Sequence, residues 1–350
     1  VVELLEQLVR TAAVLGLLVL FLPQYPERVV GLIVTGMVIC EIFSSITLTC
    51  LHHRRRNRLG LSGPGERPGV RRRRIAAIAL PVGLNSLLGN LMGAANSALI
   101  PQKLVEGGVE RSDAIAQFGV VCGMTLPMLA LPTVFLGAIN LVLVPRLARN
   151  HALGRPEEIR RLASQAIGNA SLMILPSMSL MAVLGPDLGR LLFGQEQAGA
   201  YLLPLAVTMA LSCYCSVLAC VLNGVGQQPA VAAVSLLGGG IQLLFTFLLV
   251  PLPGVGMAGY VAGAAVSTGM EALLCLWLVA RRTGLKLCLF RWLAAPGLAA
   301  LLSSLTANLL LRYLRGSGLA ALPALAATLA FALVLYAAAL FAQGVPPDRK

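Results

Sequence analysis

Charged residues are scarce in this sequence. Asp, Glu, Lys and Arg make up 12% of its 350 residues and 57% are hydrophobic, whereas a soluble domain is about 25% charged. Aromatic residues are also few, at 5%, so the apolar content is mainly Leu, Ala and Val. This composition excludes an ordinary soluble domain. It predicts an all-α, polytopic transmembrane helical bundle, because a helix satisfies its backbone polar groups internally in lipid.

The residue combinations that mark catalytic and metal sites are missing as well. The three histidines, His52, His53 and His151, all lie in basic loops. The sequence has no P-loop, no Ser/His/Asp set and no CxxC motif. We therefore predict a protein that is not an enzyme and that has no cofactor and no metal site. Its eight cysteines are expected to be free thiols that behave as small apolar residues.

Acidic residues are outnumbered by basic ones, and the formal net charge is +13. The basic residues cluster at the ends of apolar runs, and nine arginines fall between Arg54 and Arg74. This placement is typical of a membrane topology signal and of contacts with anionic lipid headgroups. We therefore expect membrane lipids as partners and no binding of nucleic acid.

Long apolar runs are what the sequence has in abundance. A span needs about 20 apolar residues, and ten runs qualify: 4–22, 29–51, 74–100, 114–143, 162–184, 200–222, 229–250, 257–280, 291–313 and 319–342. Alternating sides place 21 of the 27 basic residues on the side of the arginine-rich loop. By the positive-inside rule, this predicts a multi-pass protein of the plasma membrane with both termini of the chain in the cytoplasm. Prolines inside the runs predict kinked or broken helices: Pro81, Pro127, Pro132, Pro176 and Pro204.

The segment 145–166 alternates charged and apolar residues at helical spacing. Four apolar residues fall on one face: Ile159, Leu162, Ala163 and Ala166. We predict a short amphipathic helix on the cytoplasmic surface that leads into the fifth span. A plain solvated loop is an equal alternative for its first half.

Polar residues interrupt the third span. Asn85 and Asn96 are eleven residues apart, about three helical turns, and therefore share a face, and Asn90 lies between them. Polar side chains inside a span usually face protein or a water-filled cavity. Two interpretations stay open: the asparagines line a cavity for a polar substrate, or they donate hydrogen bonds to a neighbouring helix.

Small residues and one carboxylate recur at intervals of four in the eighth span: Gly259, Gly263, Ser267 and Glu271. This spacing predicts that they share one face. A carboxylate at this depth could titrate or bind a cation, or it could pair with an arginine such as Arg281 or Arg282 near the cytoplasmic end. Gln242, which follows the Gly238–Gly240 run, is a further candidate.

Four stretches occur in an order that is characteristic of one family: VVELLEQLVR, IALPVGLNSLLGNLMGAANSALIPQKL, AINLVLVPRLARNHALGRPEEIRR and VLNGVGQQPAVAAVSLLGG. They resemble, in turn, the fifth helix, the seventh helix, the end of the eighth helix and the turn between the tenth and eleventh helices of the stage V sporulation protein B family. That family belongs to the multidrug/oligosaccharidyl-lipid/polysaccharide (MOP) exporter superfamily.

The resemblance implies a MATE-like fold of fourteen helices, of which this chain has helices five to fourteen and lacks the first four. Residues 1–51 would then be the last two helices of the N-terminal lobe, and 52–73 a basic cytoplasmic linker. Residues 74–284 would form the six-helix C-terminal lobe, and 285–350 two additional helices and a tail. The start at Val1 without a methionine agrees with an N-terminally truncated chain.

The function implied by the resemblance is a flippase or exporter that works by alternating access in sporulation or cell-wall polysaccharide biosynthesis. Its substrate would be a lipid-linked oligosaccharide or a peptidoglycan precursor, bound by cavity-lining residues: Asn85, Asn90, Asn96, Gln242 and Glu271. One departure concerns Asn96, which stands where the family leads us to expect an acid. The alternatives are a cation-coupled multidrug exporter of the same fold and a non-transporting fragment or scaffold.

Overall fold

The computed structural model describes residues 2–21, 26–58, 68–194, 201–285, 290–317 and 320–343. In these ranges the regular structure is entirely helical. Eight of the helices described are long and apolar enough to cross a bilayer: Val29–Arg55, Arg111–Ala130, Pro156–Val183, Leu202–Gly224, Gln228–Leu249, Met257–Thr283, Trp292–Gly316 and Leu322–Ala342. The prediction of an all-α polytopic membrane bundle is confirmed. The predicted span 74–100 is helical throughout, and the predicted span 4–22 is helical up to Phe21, where the described residues end.

The chain divides into two compact units, Val1–Arg74 and Ile75–Lys350. The first contains α1 (Val2–Phe21) and α2 (Val29–Arg58). The helices described from the boundary region onwards are α3 (Pro68–Glu106), α4 (Arg111–Phe118), α5 (Leu126–Ala130), α6 (Thr133–Ala152), α7 (Pro156–Val183), α8 (Gly185–Phe193), α9 (Leu202–Gly224), α10 (Gln228–Leu249), α11 (Met257–Thr283), α12 (Ala295–Gly316) and α13 (Ala321–Ala342).

Polar side chains connect α1 and α2 in the first unit. The Arg10 guanidinium lies 3.1 Å from the Glu6 carboxylate on its own helix and 3.3 Å from the Glu41 carboxylate on α2. The Ser44 hydroxyl donates to the other Glu6 oxygen at 2.9 Å. Each acid of this small network therefore has a cation or hydroxyl partner, as ionised groups in apolar surroundings require.

Helix α9 is the centre of the second unit. It packs against α6, α7 and α11. In its most apolar stretch of 18 residues 56% are buried, compared with 17% in that of α10. Leu205, Val217 and Leu222 on α9 are almost completely buried. An apolar helix that contacts protein on several sides is enclosed by the bundle, whereas α10 keeps a broad face outside the packed core.

The residues of the predicted span 114–143 do not form one continuous helix. A π-helical turn, Gly119–Thr125, separates α4 from α5, and a turn at Leu131 and Pro132 separates α5 from α6. Pro127 and Pro132 lack the amide hydrogen that would continue the helical ladder, so the break at Pro132 agrees with the predicted kinks. Pro81 and Pro176 lie within continuous helices.

The segment 145–166, predicted as a short amphipathic helix that leads into the fifth span, is divided between two long helices. Helix α6 continues to Ala152, and α7 begins at Pro156, so the segment belongs to the ends of two long helices. The predicted apolar face is nevertheless present, because Ile159 and Ala163 are buried in the core. The pattern indicates the buried face correctly, and α7 does lead from this segment into the span, but the first part of the segment belongs to α6.

The short helix α8 was not predicted from the apolar runs. It follows α7 directly after Leu184 and carries Asp187 in its first turn. The Arg315 guanidinium on α12 donates to the Asp187 carboxylate. This ion pair ties α8 to the end of α12, and a helix of nine residues depends on such tertiary contacts for its stability.

Candidate functional site: a polar cluster on α3, α10 and α11

Helices α10 and α11 pack closely in antiparallel directions. Their contacts repeat every four residues, in opposite directions along the two helices: Leu249 contacts Gly259, and Phe245 contacts Gly263. A Cβ added at Gly259 would lie 2.9 Å from the Leu249 Cβ, and one at Gly263 would lie 2.5 Å from the Phe245 Cβ. The absence of side chains on α11 is therefore what allows the close approach, as in other small-residue interfaces of membrane helices.

One turn further along, the interface becomes polar. The Ser267 hydroxyl donates to the Gln242 side-chain oxygen at 3.2 Å, and the Gln242 amide nitrogen donates to the Tyr260 carbonyl at 3.3 Å. These bonds satisfy both ends of the Gln242 amide inside a membrane helix pair, where an unpaired amide would be costly. Gln242 and Ser267 therefore fix the register of α10 on α11.

Glu271 occupies the next turn of α11, and its carboxylate lies against the backbone of Gly238 on α10. The predicted face of α11 is confirmed, because Gly259, Gly263, Ser267 and Glu271 all contact α10. Gly238 is buried and leaves open the space that a Cβ would fill. A carboxylate is thus held in a glycine notch between two membrane helices.

The Glu271 carboxylate has no ion-pair or hydrogen-bond partner among the residues that the structure describes. Arg281 stacks on the Trp277 ring at 5.1 Å from its centroid, and both Arg281 and Arg282 are exposed. Pairing of Glu271 with either arginine is not observed within the described ranges. The carboxylate is partly exposed and is available to a ligand.

Helix α3 completes the site. The Thr246 hydroxyl lies 2.9 Å from the Asn96 side-chain oxygen and 2.9 Å from the Gln242 carbonyl, and it can donate to either. One turn earlier on α3, the Met92 sulfur lies against Gly239. Asn96 therefore faces α10 and joins a polar cluster, defined here as Asn96, Gln242, Thr246, Ser267 and Glu271.

Three of the predicted site residues are brought together in the polar cluster: Asn96, Gln242 and Glu271. Asn90 is exposed and forms no hydrogen bond within the described structure. Asn85 lies in α3, but its side chain falls outside the described residues. Thr246 was missed, although its spacing of four residues from Gln242 is a signal that both lie on one face of α10.

The chemistry of the cluster is that of hydrogen bonding and of a single negative charge. Amide, hydroxyl and carboxylate groups converge there, and no group of three or more His, Cys, Asp or Glu residues that could hold a metal ion occurs in the described ranges. The described cysteines, including the buried Cys215 and Cys275 on the neighbouring faces of α9 and α11, are free thiols. This set of donors and acceptors suits a hydroxyl-rich or amine-bearing ligand.

Comparison with known proteins gives one distant relative. Over 274 residues the chain is 24% identical to Stage V sporulation protein B of Bacillus subtilis (strain 168), an alignment that covers 77% of this chain and 52% of that protein. The chain therefore spans about half the length of the relative it matches. No protein-family model and no solved structure matches the chain. The similarity supports a relationship to the family that the sequence motifs resemble.

Proposed function

We propose that the chain works in a membrane flippase or exporter that moves a lipid-linked oligosaccharide or a peptidoglycan precursor by alternating access. The observation that carries this proposal is the polar cluster between α3, α10 and α11, in which Glu271 has no cationic partner among the described residues. Polar and ionisable groups inside membrane helices are costly and commonly mark the path of a substrate.

The hydrogen-bonding groups of the polar cluster complement those of the headgroup of such a substrate. Sugar and peptide groups offer hydroxyls and amides, which hydrogen-bond to the side chains of Asn96, Gln242 and Glu271. The lipid carrier of the substrate would stay in the bilayer, beside exposed apolar residues of α10 such as Leu244 and Leu248. The similarity to a sporulation protein supports a role in the cell envelope at the plasma membrane, with the arginine-rich loop in the cytoplasm.

The first prediction concerns the cluster residues Glu271 and Asn96. Glu271→Gln and Asn96→Leu are each expected to lower the rate of substrate flipping by about tenfold or more, because the first removes the negative charge and the second removes the amide that would bind a polar substrate group. The measurement is the accessibility of a fluorescent lipid-linked oligosaccharide in membrane vesicles that contain the protein as its gene encodes it.

Matched variants control for the chemical change alone. Glu110→Gln alters an exposed loop carboxylate, and Asn308→Leu alters an amide on α12. Both are expected to flip substrate at the unmodified rate. Equal rates in all four variants would remove the polar cluster from transport, and a gain in drug resistance without flipping would favour the multidrug exporter.

A further inference from the structure

A pocket lies at the ends of several helices, far from the polar cluster. It forms where α6, α9 and α11 end and where α7 and α10 begin, and its volume is about 380 Å³. Thr283 in its wall is twelve residues beyond Glu271 on α11, about 18 Å along the helix axis. The two sites are therefore separate.

The floor of this pocket is rigid. It is formed by Ile159, Val225 and Thr283, all of which are buried. The turns around it are fixed by backbone hydrogen bonds, since the Arg155 amide donates to the Asn150 carbonyl at 3.0 Å and the Gln227 amide to the Leu222 carbonyl at 2.9 Å. The pocket is therefore formed by the helix ends and their hydrogen-bonded turns.

The rim of the pocket is basic. Arg155, Arg282 and His151 line it, and no carboxylate is among the described residues that do so. None of these three side chains forms an ion pair or a hydrogen bond within the described structure. Arg155, in the turn before α7, and Arg282, on α11, thus both border one cavity with donors that no described residue uses.

Nearby acids do not neutralise this rim. Glu157 lies 2.8 Å from Arg160, and Glu158 lies 3.7 Å from Arg161. Arg160 also donates to the Thr283 carbonyl at 3.0 Å and so caps the end of α11. The two acids at the start of α7 are paired with other arginines, whereas Arg155 has no acidic partner within the described ranges.

We propose that this pocket binds a phosphate group through the guanidinium groups of Arg155 and Arg282. Arginine presents planar donors that match phosphate oxygens, and such charge-assisted bonds are the strong ones. The position at the helix ends, on the side with most basic residues, gives access both to lipid headgroups and to soluble phosphates. The site goes beyond the proposed transport function, because the polar cluster is not part of it.

The alternative is that these arginines only set the topology. A topology signal depends on the number of charges on one side, whereas a binding site depends on which arginines are removed. The comparison is therefore between Arg155→Gln/Arg282→Gln and a control pair of equal charge, Arg149→Gln/Arg281→Gln. The control arginines are exposed, like Arg155 and Arg282, but do not line the pocket.

The experiment is native mass spectrometry of the protein in neutral detergent, titrated with phosphatidylglycerol and, separately, with inorganic phosphate. The pocket pair is expected to weaken binding by about tenfold or more, because two charge-assisted hydrogen-bonding groups are lost. The control pair is expected to change it by less than about twofold, because neither arginine lines the pocket. Arg155→Lys/Arg282→Lys should bind at an intermediate level, and circular dichroism verifies that each variant is folded.

The two probes distinguish the source of the phosphate. Binding of phosphatidylglycerol that inorganic phosphate does not displace identifies a lipid headgroup, and displacement at millimolar concentrations identifies a soluble phosphate. Equal weakening by the pocket pair and the control pair would overturn the proposal. So would the failure of both probes to saturate the unmodified protein. Neither result bears on flipping, so this test and that of the polar cluster fail independently.

Discussion

Gly238→Ala is expected to destabilise the protein by about 1–3 kcal/mol, the usual range for overpacking a tight interface. The new methyl group would occupy the place of the Glu271 carboxylate, which lies against Gly238. Alanine favours a helix over glycine by about 1 kcal/mol, so a net loss would show that the clash exceeds that gain. The measurement is the midpoint of thermal unfolding in detergent, followed by circular dichroism.

A matched control is available two residues away. Gly240 is in the same helix, and an added Cβ there meets nothing within 4 Å. Gly240→Ala is therefore expected to be neutral or slightly stabilising. If Gly238→Ala and Gly240→Ala have the same midpoint, the contact of the Glu271 carboxylate with Gly238 does not contribute to stability.

Shortening Glu271 should rescue the Gly238 variant. Glu271→Ala removes the carboxylate and the Cγ that an added Cβ would meet at 2.5 Å, which leaves room for the methyl group. Combined in a double-mutant cycle, the two changes are expected to couple favourably by about 1–3 kcal/mol. The rescued protein would be stable and yet defective in flipping, which would separate the structural use of the notch from the proposed use of the carboxylate.

The helix faces at this site could be predicted from the sequence, but their partners could not. A spacing of four placed Gly259, Gly263, Ser267 and Glu271 on one face, and all four contact α10. Periodicity within one helix contains no information about which helix lies opposite or in what register. The hydrogen bond between Asn96 and Thr246 joins residues that are 150 positions apart, so it could not be predicted from the spacing within either helix.

The same limit explains the errors. A uniformly apolar run predicts membrane helix over 114–143, but apolarity does not report the backbone, and the run is divided by a π-helical turn and by Pro132. Asn90 and Asn96 are both candidate cavity-lining residues, and the helix geometry separates them. Six residues of α-helix turn through about 600°, which places the two on different faces, and only Asn96 contacts α10 through Thr246.

Gly224→Ala is expected to have a larger effect on stability than most single changes, about 2–4 kcal/mol, because the clash involves atoms that cannot rotate away. An added Cβ at Gly224 would lie 2.5 Å from the Leu147 Cβ. Leu147 is completely buried, and its Cβ is fixed to the backbone of α6. The methyl group can be accommodated only if α6 and α9 move apart, which the same unfolding measurement would detect.

The Gly224 variant should resist the kind of rescue that restores Gly238→Ala. Leu147→Ala leaves the Cβ in place and also opens a cavity, which by itself costs about 2–5 kcal/mol. The double variant is therefore expected to be less stable than either single variant. Gly137→Ala on α6 is the control, since an added Cβ there meets nothing within 4 Å. Rescue by Leu147→Ala would mean that α6 and α9 accommodate the methyl group despite the short distance between the two Cβ atoms.

The position of Gly224 also connects this contact to the proposed phosphate site. Val225 follows it directly and lines the pocket, as does His151, one turn beyond Leu147 on α6. Separation of α6 from α9 would widen the cavity, so Gly224→Ala is expected to weaken phosphatidylglycerol binding about tenfold at temperatures where the variant is folded. Gly238→Ala, whose clash lies at the polar cluster on α10 and α11, should leave that binding unchanged. Loss of binding in both variants would mean that the pocket reports the stability of the whole unit, whereas loss in Gly224→Ala alone would show that the packing of α6 on α9 holds the pocket in shape.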